Sequence, residues 1–302
     1  MRKRPCPVCG STDYSLVFAE ADYDLERLDG FAFASRKTPE YMHYRLLKCP
    51  VCDLLYSSPI PETDMLGKAY AEAEFDSSEE AACAARTYGA FLPDIKKRLA
   101  SLEGALDIGT GDGAFLEELL ANGFTAVMGI EPSKAPIAAA KEEIRPLIKE
   151  TLFNANDFEK KSLSLITCFQ TLEHIDDPQG LCRSAFKMLK KGGAVFFVTH
   201  NYNALSAKVL SMKSPIFDIE HLQLFSKKSL HYLLRESGFT GIEIKTVYNR
   251  YPLHYWIKLL PLPLKIKRAL ITFLKNIRLG FLPVYMPAGN IAAIGFKETS
   301  QN

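Results

Sequence analysis

The sequence predicts an α/β protein built on a doubly wound sheet, with a small four-cysteine module ahead of it. Residues 105–120 read as a strand, a glycine-rich turn and a helix. Strand and helix patterns then alternate to about residue 250, and Cys-Pro-Val-Cys occurs twice within the first 52 residues. Strands that alternate with helices in this way are expected to pair in parallel, with a ligand at their carboxyl ends.

Residues 1–60 read as short strands and turns closed by Pro59 and Pro61. Each Cys-Pro-Val-Cys forms a tight knuckle whose two sulfurs face one tetrahedral metal, so Cys6, Cys9, Cys49 and Cys52 are expected to hold a structural Zn2+ as a zinc ribbon. A closed four-sulfur site leaves no position for a reacting water. Redox chemistry is the alternative use of such pairs. Gly10 suits the positive φ that follows the first knuckle, and Asp53 suits it less well. Three further cysteines (Cys83, Cys168, Cys182) bring the total to seven. That odd count, and the lack of an apolar core after Arg2-Lys3-Arg4, point to reduced thiols and a cytoplasmic protein.

Residues 61–100 are expected to form a helical linker or lid, with a helix over 77–99 that Gly89 and Pro93 can interrupt. The domain over 101–250 then opens with strand Ala105–Ile108 and helix Phe115–Leu120. Strand Thr125–Ile130 follows, then a helix capped by Ser133 with Pro136 in its first turn. Strands over 147–152 and 164–169, a helix over 178–189, a strand over 194–199, a helix over 226–236 and a strand over 242–248 complete the alternation. A last strand, Asn290–Phe296, lies within the segment 251–302.

The most informative local signal is Asp107-Ile108-Gly109-Thr110-Gly111-Asp112-Gly113. Glycines between a strand and a helix permit positive φ and let a ligand approach the backbone. Glu131 ends the next strand, where a carboxylate can accept both hydroxyls of a ribose. Gly109-x-Gly111-x-x-Ala114 also fits a dinucleotide loop. Asp107 and Asp112, however, would repel phosphates and suit a sulfonium or ammonium group, which favours a nucleoside without a pyrophosphate.

Five segments extend this into a resemblance. Residues 105–113 resemble the first motif of class I S-adenosylmethionine-dependent methyltransferases, and Gly129-Ile130-Glu131-Pro132-Ser133 their acidic second motif. Ile166 to Pro178, with Leu172-Glu173-His174, resembles the stretch after their fourth strand. Leu189-Lys190-Lys191-Gly192-Gly193 resembles the turn before the fifth, and Glu220-His221-Leu222-Gln223-Leu224-Phe225-Ser226 a later signature. The resemblance implies a Rossmann-like sheet of seven strands with the last antiparallel, and S-adenosylmethionine as cofactor. Gly109, Gly111 and Gly113 would lie against its methionine part, with Asp107 orienting the loop or reaching the amino group. Glu131 would hold the ribose, Leu152 and its neighbours would flank the adenine, and Phe169 and Gln170 would sit beside the sulfonium. A zinc ribbon ahead of this pattern resembles the sugar C-methyltransferases and related enzymes of polysaccharide gene clusters. That implies a small-molecule substrate, a sugar or a lipid-linked glycan intermediate.

Proton removal from such an acceptor needs a base near neutral pH. His174 and His221 are the candidates. Glu220-His221 resembles the Glu-His pair of the sugar C-methyltransferases, and His200 is expected to be structural. Two other functions compete: an RNA methyltransferase gripping its substrate with the ribbon, and a non-catalytic cofactor-binding module. The net charge of +2 disfavours nucleic acid.

Between Tyr251 and Lys297 there are seven basic residues and no acidic one, which leaves 30 basic against 35 acidic elsewhere. Residues 264–279 read as an amphipathic helix, with Ile266, Leu270, Phe273, Leu274 and Ile277 on one face and Lys265, Lys267, Arg268, Lys275 and Arg278 opposite. The expectation is a helix packed on the sheet with its lysines in water. The alternative is a peripheral contact of residues 251–280 with the inner face of a membrane, or a lid over a lipid-linked substrate.

Overall fold

The computed structural model describes residues 1–14, 16–24, 41–62, 78–260 and 262–298. Residues 63–77 of the expected linker lie outside this set. The N-terminal segment supplies three short strands, β1 (Val17–Ala19), β2 (Leu46–Lys48) and β3 (Leu55–Ser57). The expected linker helix is split into α1 (Ser78–Gly89) and α2 (Leu92–Lys96), with Pro93 in the first turn of the second piece. There its missing N–H costs no helical bond.

The alternating region follows as β4 (Glu103–Ile108), α3 (Ala114–Ala121), β5 (Thr125–Glu131), α4 (Lys134–Ala139), β6 (Ile148–Glu150), β7 (Leu163–Phe169), α5 (Pro178–Met188) and β8 (Leu189–His200). Then come α6 (Leu205–Leu210), β9 (Gln223–Leu224), α7 (Lys227–Glu236) and β10 (Thr240–Thr246). The C-terminal segment holds β11 (Asn249–Pro252), α8 (Leu253–Leu259), α9 (Leu264–Asn276), β12 (Pro283–Met286) and β13 (Asn290–Phe296).

The main sheet has seven strands in the order β10-β13-β8-β7-β4-β5-β6. β4 to β8 pair in parallel, and β13 runs antiparallel to both its neighbours. This is a doubly wound, Rossmann-like sheet with its last strand antiparallel, as the sequence led one to expect. Both faces are covered, so β13 is buried along its whole length.

The period of two sends alternate residues to two cores. Leu106, Ile166, Val195, Phe197 and Ala293 face α5 and α7, while Ala105, Leu165, Phe196, Val198 and Ile294 face α1 and α3. Full burial of each large side chain here contributes about 1.5–3 kcal/mol. The first core also takes in Val8, Leu47 and Tyr56, so the cysteine module and the sheet share one buried cluster. Its small sheet, β1-β2-β3-β9, takes its fourth strand from Gln223–Leu224, beyond five strands of the main sheet.

The C-terminal segment differs from the expectation. α9 does not pack on the main sheet; it rests against α8 and the turn Leu279–Phe281. Lys267 is buried and donates Nζ to the Lys258 carbonyl at 2.9 Å, whereas Ile266, Leu270, Phe273 and Ile277 are exposed. No described helix is long and apolar enough to cross a membrane.

Candidate active site

β4 delivers the chain to Gly109, where φ is +75° and an added Cβ would lie 2.2 Å from Thr171 Oγ1. Gly111, at φ +59°, has nothing within 4 Å of that position. The first glycine lets two loops touch, and the second leaves backbone open to a ligand. Gly113 begins α3, and a Cβ there would meet Ile144. Glu131, at the end of β5, accepts the Gly111 N–H on Oε2 and the Ser133 N–H on Oε1, each at 2.9 Å. Burial pushes its carboxyl up from the ordinary value. Asp107 accepts the Thr167 hydroxyl at 2.6 Å, and burial pushes it up to about 6.

A cavity of about 590 Å³ opens at the carboxyl ends of β4, β5, β7 and β8. Asp107, Gly109, Gly111, Glu131, Leu152, Phe169 and Gln170 line one part of it, and His174, Glu220 and His221 another. Gly113 is not among the lining residues. Leu152 is exposed at the rim. Phe169 is wedged among Tyr88, Phe115 and Phe196, with ring centroids 4.5–4.9 Å away. Gln170 takes a positive φ of 50° and donates its N–H to the Val198 carbonyl at 2.7 Å. A non-glycine residue there is strained, and such strain gathers at ligand sites.

The histidines meet in this cavity. His174 donates Nδ1–H to the Glu220 carbonyl and His221 donates Nδ1–H to the Ile216 carbonyl, both at 2.9 Å. A carbonyl can only accept, so in each neutral ring Nε2 holds the basic lone pair. The two rings are 5.0 Å apart, and Glu220 Oε1 lies 3.8 Å from His221 Nε2. His200 contacts Asn290 Oδ1 through Nδ1 at 2.8 Å, and burial lowers it to about 4, which keeps it neutral.

Two features stand out beside the expected residues: one had no role from sequence, and the other was read only as a membrane contact or lid. Glu173 is fully buried, accepts the His200 N–H at 2.6 Å, and is pushed by burial up to about 8. It stands in the Leu172-Glu173-His174 motif, which was the only signal for it. The second is an aromatic wall, Tyr251, Tyr255 and Trp256, contributed by β11 and α8.

The four sulfurs of Cys6, Cys9, Cys49 and Cys52 lie within 4.8 Å of one another, with Cys6–Cys52 at 3.5 Å and Cys9–Cys49 at 3.4 Å. Zn–S bonds of about 2.3 Å place tetrahedral sulfurs about 3.8 Å apart, so the donor set fits that ion. Gly10 and Asp53 close the two knuckles at φ +74° and +63°. Asp53 is held in this conformation by the Tyr202 hydroxyl at 2.9 Å and by Ser226, whose hydroxyl donates to its carbonyl at 3.0 Å.

The same module grips the histidine loops. Buried Arg4 donates to the carbonyls of Ser57, Asp176 and Leu222 and to Gln223 Oε1, at 2.6–3.1 Å. β3 pairs with β9, two residues past His221.

The glycine loop, acidic strand end and histidines thus share one cavity at the carboxyl edge of the sheet, and comparison with known proteins gives the family. A methyltransferase-domain family matches residues 79–244. The ubiquinone biosynthesis O-methyltransferase of Pseudomonas fluorescens is 37% identical over 167 residues, 50% of this chain and 70% of that protein. That of Pseudomonas putida is 36% identical over 115 residues, 34% of this chain and 48% of the relative. The chain thus spans about half the length of the latter. Among solved structures, a methyltransferase from Archaeoglobus fulgidus is similar at 16% identity and TM-score 0.48, covering 78% of this chain and 99% of its own. The geranyl diphosphate C-methyltransferase of Streptomyces coelicolor is similar at 17% and 0.44, covering 70% and 80%. The chain belongs to the methyltransferase-domain family and is an S-adenosylmethionine-dependent methyltransferase.

Proposed function

We propose that the protein methylates a hydroxyl of a small amphiphilic acceptor, a sugar or lipid-linked glycan intermediate, with His221 as base. The observation that carries this reading is the pair of imidazoles with Nδ1 tied to carbonyls, set in one cavity with the glycine loop and Glu131. The aromatic wall suits an acceptor with a flat or apolar ring face. The names of the relatives favour oxygen as the methylated atom.

S-adenosylmethionine supplies an electrophilic methyl on a sulfonium. Glu131 would accept the ribose hydroxyls, Gly109 and Gly111 would border the methionine part, and Asp107 would orient the loop. Leu152 would flank the adenine, with Phe169 and Gln170 toward the sulfonium. His221 would take the acceptor proton on Nε2, and the Glu220 carboxylate would stabilise the imidazolium that results. His174, fixed by the Glu220 carbonyl, would orient the acceptor beside it. Cys6, Cys9, Cys49 and Cys52 would hold a structural zinc.

The test is turnover on nucleotide sugars and glycolipids with labelled cofactor. His221→Ala should lower kcat by about a hundredfold while cofactor affinity stays within twofold. Wild-type rates should rise from acid toward neutral pH, since only the neutral imidazole accepts a proton. Wild-type turnover by both His221→Ala and His174→Ala would leave alignment of an already nucleophilic acceptor as the better account.

A further inference from the structure

The C-terminal segment carries an interaction surface that methyl transfer does not use. α9 turns Lys267, Ile271 and Leu274 inward, and Lys267 is only 7% exposed. Leu264, Ile266, Phe273 and Ile277 are 45–58% exposed. Burying an ammonium while presenting Phe273 to solvent is the reverse of what a helix bounded by water does. The apolar side chains continue past the helix through Leu279, Phe281, Leu282 and Tyr285, all exposed. Exposed apolar side chains gathered on one segment in this way mark interaction sites. Arg250 lies 5.7 Å from the Tyr285 ring centroid and Lys275 5.9 Å from that of Phe281.

We infer that this face of α9 and the turn after it docks on an anionic lipid surface. Charge selects the occupant. Lys275 and Arg250 lie over two of the exposed rings, Lys265, Arg268 and Arg278 stand on the same helix and turn, and the whole segment 251–297 has no acidic residue. A second copy of the chain seated on the same face would set these cations against themselves, whereas anionic headgroups neutralise them while acyl chains receive Leu270 and Phe273. Position agrees as well. α8, which leads into α9, contributes Leu259 to the cavity, and Leu260 and Met286 line it too, so the docked face adjoins the acceptor end of the cleft. An amphiphile could pass from lipid to cleft without crossing water. The inference stands on the surface alone and survives a failure of the base assignment.

The full chain is sedimented with vesicles of phosphatidylcholine containing phosphatidylglycerol, and with phosphatidylcholine alone. Binding is expected to the first, weakened by salt and weaker by about tenfold or more with phosphatidylcholine alone. Leu270→Asp/Phe273→Asp should abolish most of it, and Lys265→Glu/Arg268→Glu should remove the preference for anionic lipid. Cofactor affinity and melting temperature of both variants should match wild type. The inference is overturned if wild type ignores anionic vesicles, or if the aspartate variant binds them as well as wild type. A wild-type dimer in the ultracentrifuge that the aspartate variant dissolves would also overturn it, by assigning the face to a second copy.

Discussion

Replacing Glu131 by alanine tests the cofactor side of the site most directly. Its carboxylate accepts one backbone N–H on each oxygen, from Gly111 and from Ser133, both at 2.9 Å. Bonds to a charged acceptor contribute about 1.5–3 kcal/mol each, so the loss divides into two measurable parts. Ser133 is buried, and its orphaned N–H should cost about 1–3 kcal/mol of stability. Gly111 faces the cavity, so water can take the place of its lost partner. The ribose hydroxyls lose their acceptor as well, which weakens binding by about 1.5–3 kcal/mol, or about 10- to 150-fold in Kd. Calorimetric titration with S-adenosylmethionine measures this, and a thermal melt measures the stability part. Glu131→Gln should fall between, because an amide keeps one acceptor and turns an N–H against the other donor. An alanine variant that binds within twofold of wild type and melts at the same temperature would refute both the ribose assignment and the bracing of the loop.

Gly111→Ala should melt within a few degrees of wild type yet bind cofactor poorly, since its new methyl enters open cavity. Gly109→Ala should lose stability first, because that methyl is driven into Thr171; melting curves beside titrations separate the two. One zinc per chain should co-purify, and Cys49→Ser should release it. Because Arg4 and β3 hold the loops of His174 and His221, turnover should then fall at least about tenfold, which metal analysis beside an activity assay checks. Glu173, at about 8 against an ordinary 4.5, stays protonated when folded while the unfolded chain has released its proton, so stability should fall as pH rises from 4.5 to 8. His200, at about 4 against 6.5, acts with the opposite sign below 6.5. Between pH 6.5 and 8 the denaturant midpoint should fall more steeply with pH in wild type than in Glu173→Gln.

Legibility followed the range of the interaction. The strand, glycine loop and Glu131 were readable because each piece is a local pattern, and the seven-stranded sheet followed from their order. β9 is two residues long and has no period to read; only its pairing with Leu55 and Tyr56 makes it a strand. β11 and β12 set Pro252 opposite Pro283, residues that argue against strands in sequence and are tolerated at an edge. For α9 the three-and-four spacing located an apolar stripe correctly, but spacing cannot say which way a stripe faces. The burial of Lys267 depends on the Lys258 carbonyl, which belongs to another helix. Glu173 was visible in its motif, yet its raised pKa comes from burial supplied by distant elements.

The small sheet has a consequence for how the protein is made. Its fourth strand, β9, pairs Gln223 and Leu224 with Tyr56 and Leu55, partners separated by more than half the chain. During synthesis the cysteine knuckles emerge first and can close locally, but their sheet keeps an open edge until residue 224 has left the ribosome. Val8, Leu47 and Tyr56 stay without their counterparts for the same interval, since the core they share with the main sheet does not yet exist. Early metal capture would hold the nascent module in register through that wait. Residues 1–60 expressed alone would present an unfinished edge and a bare apolar face, and should aggregate even when supplied with metal.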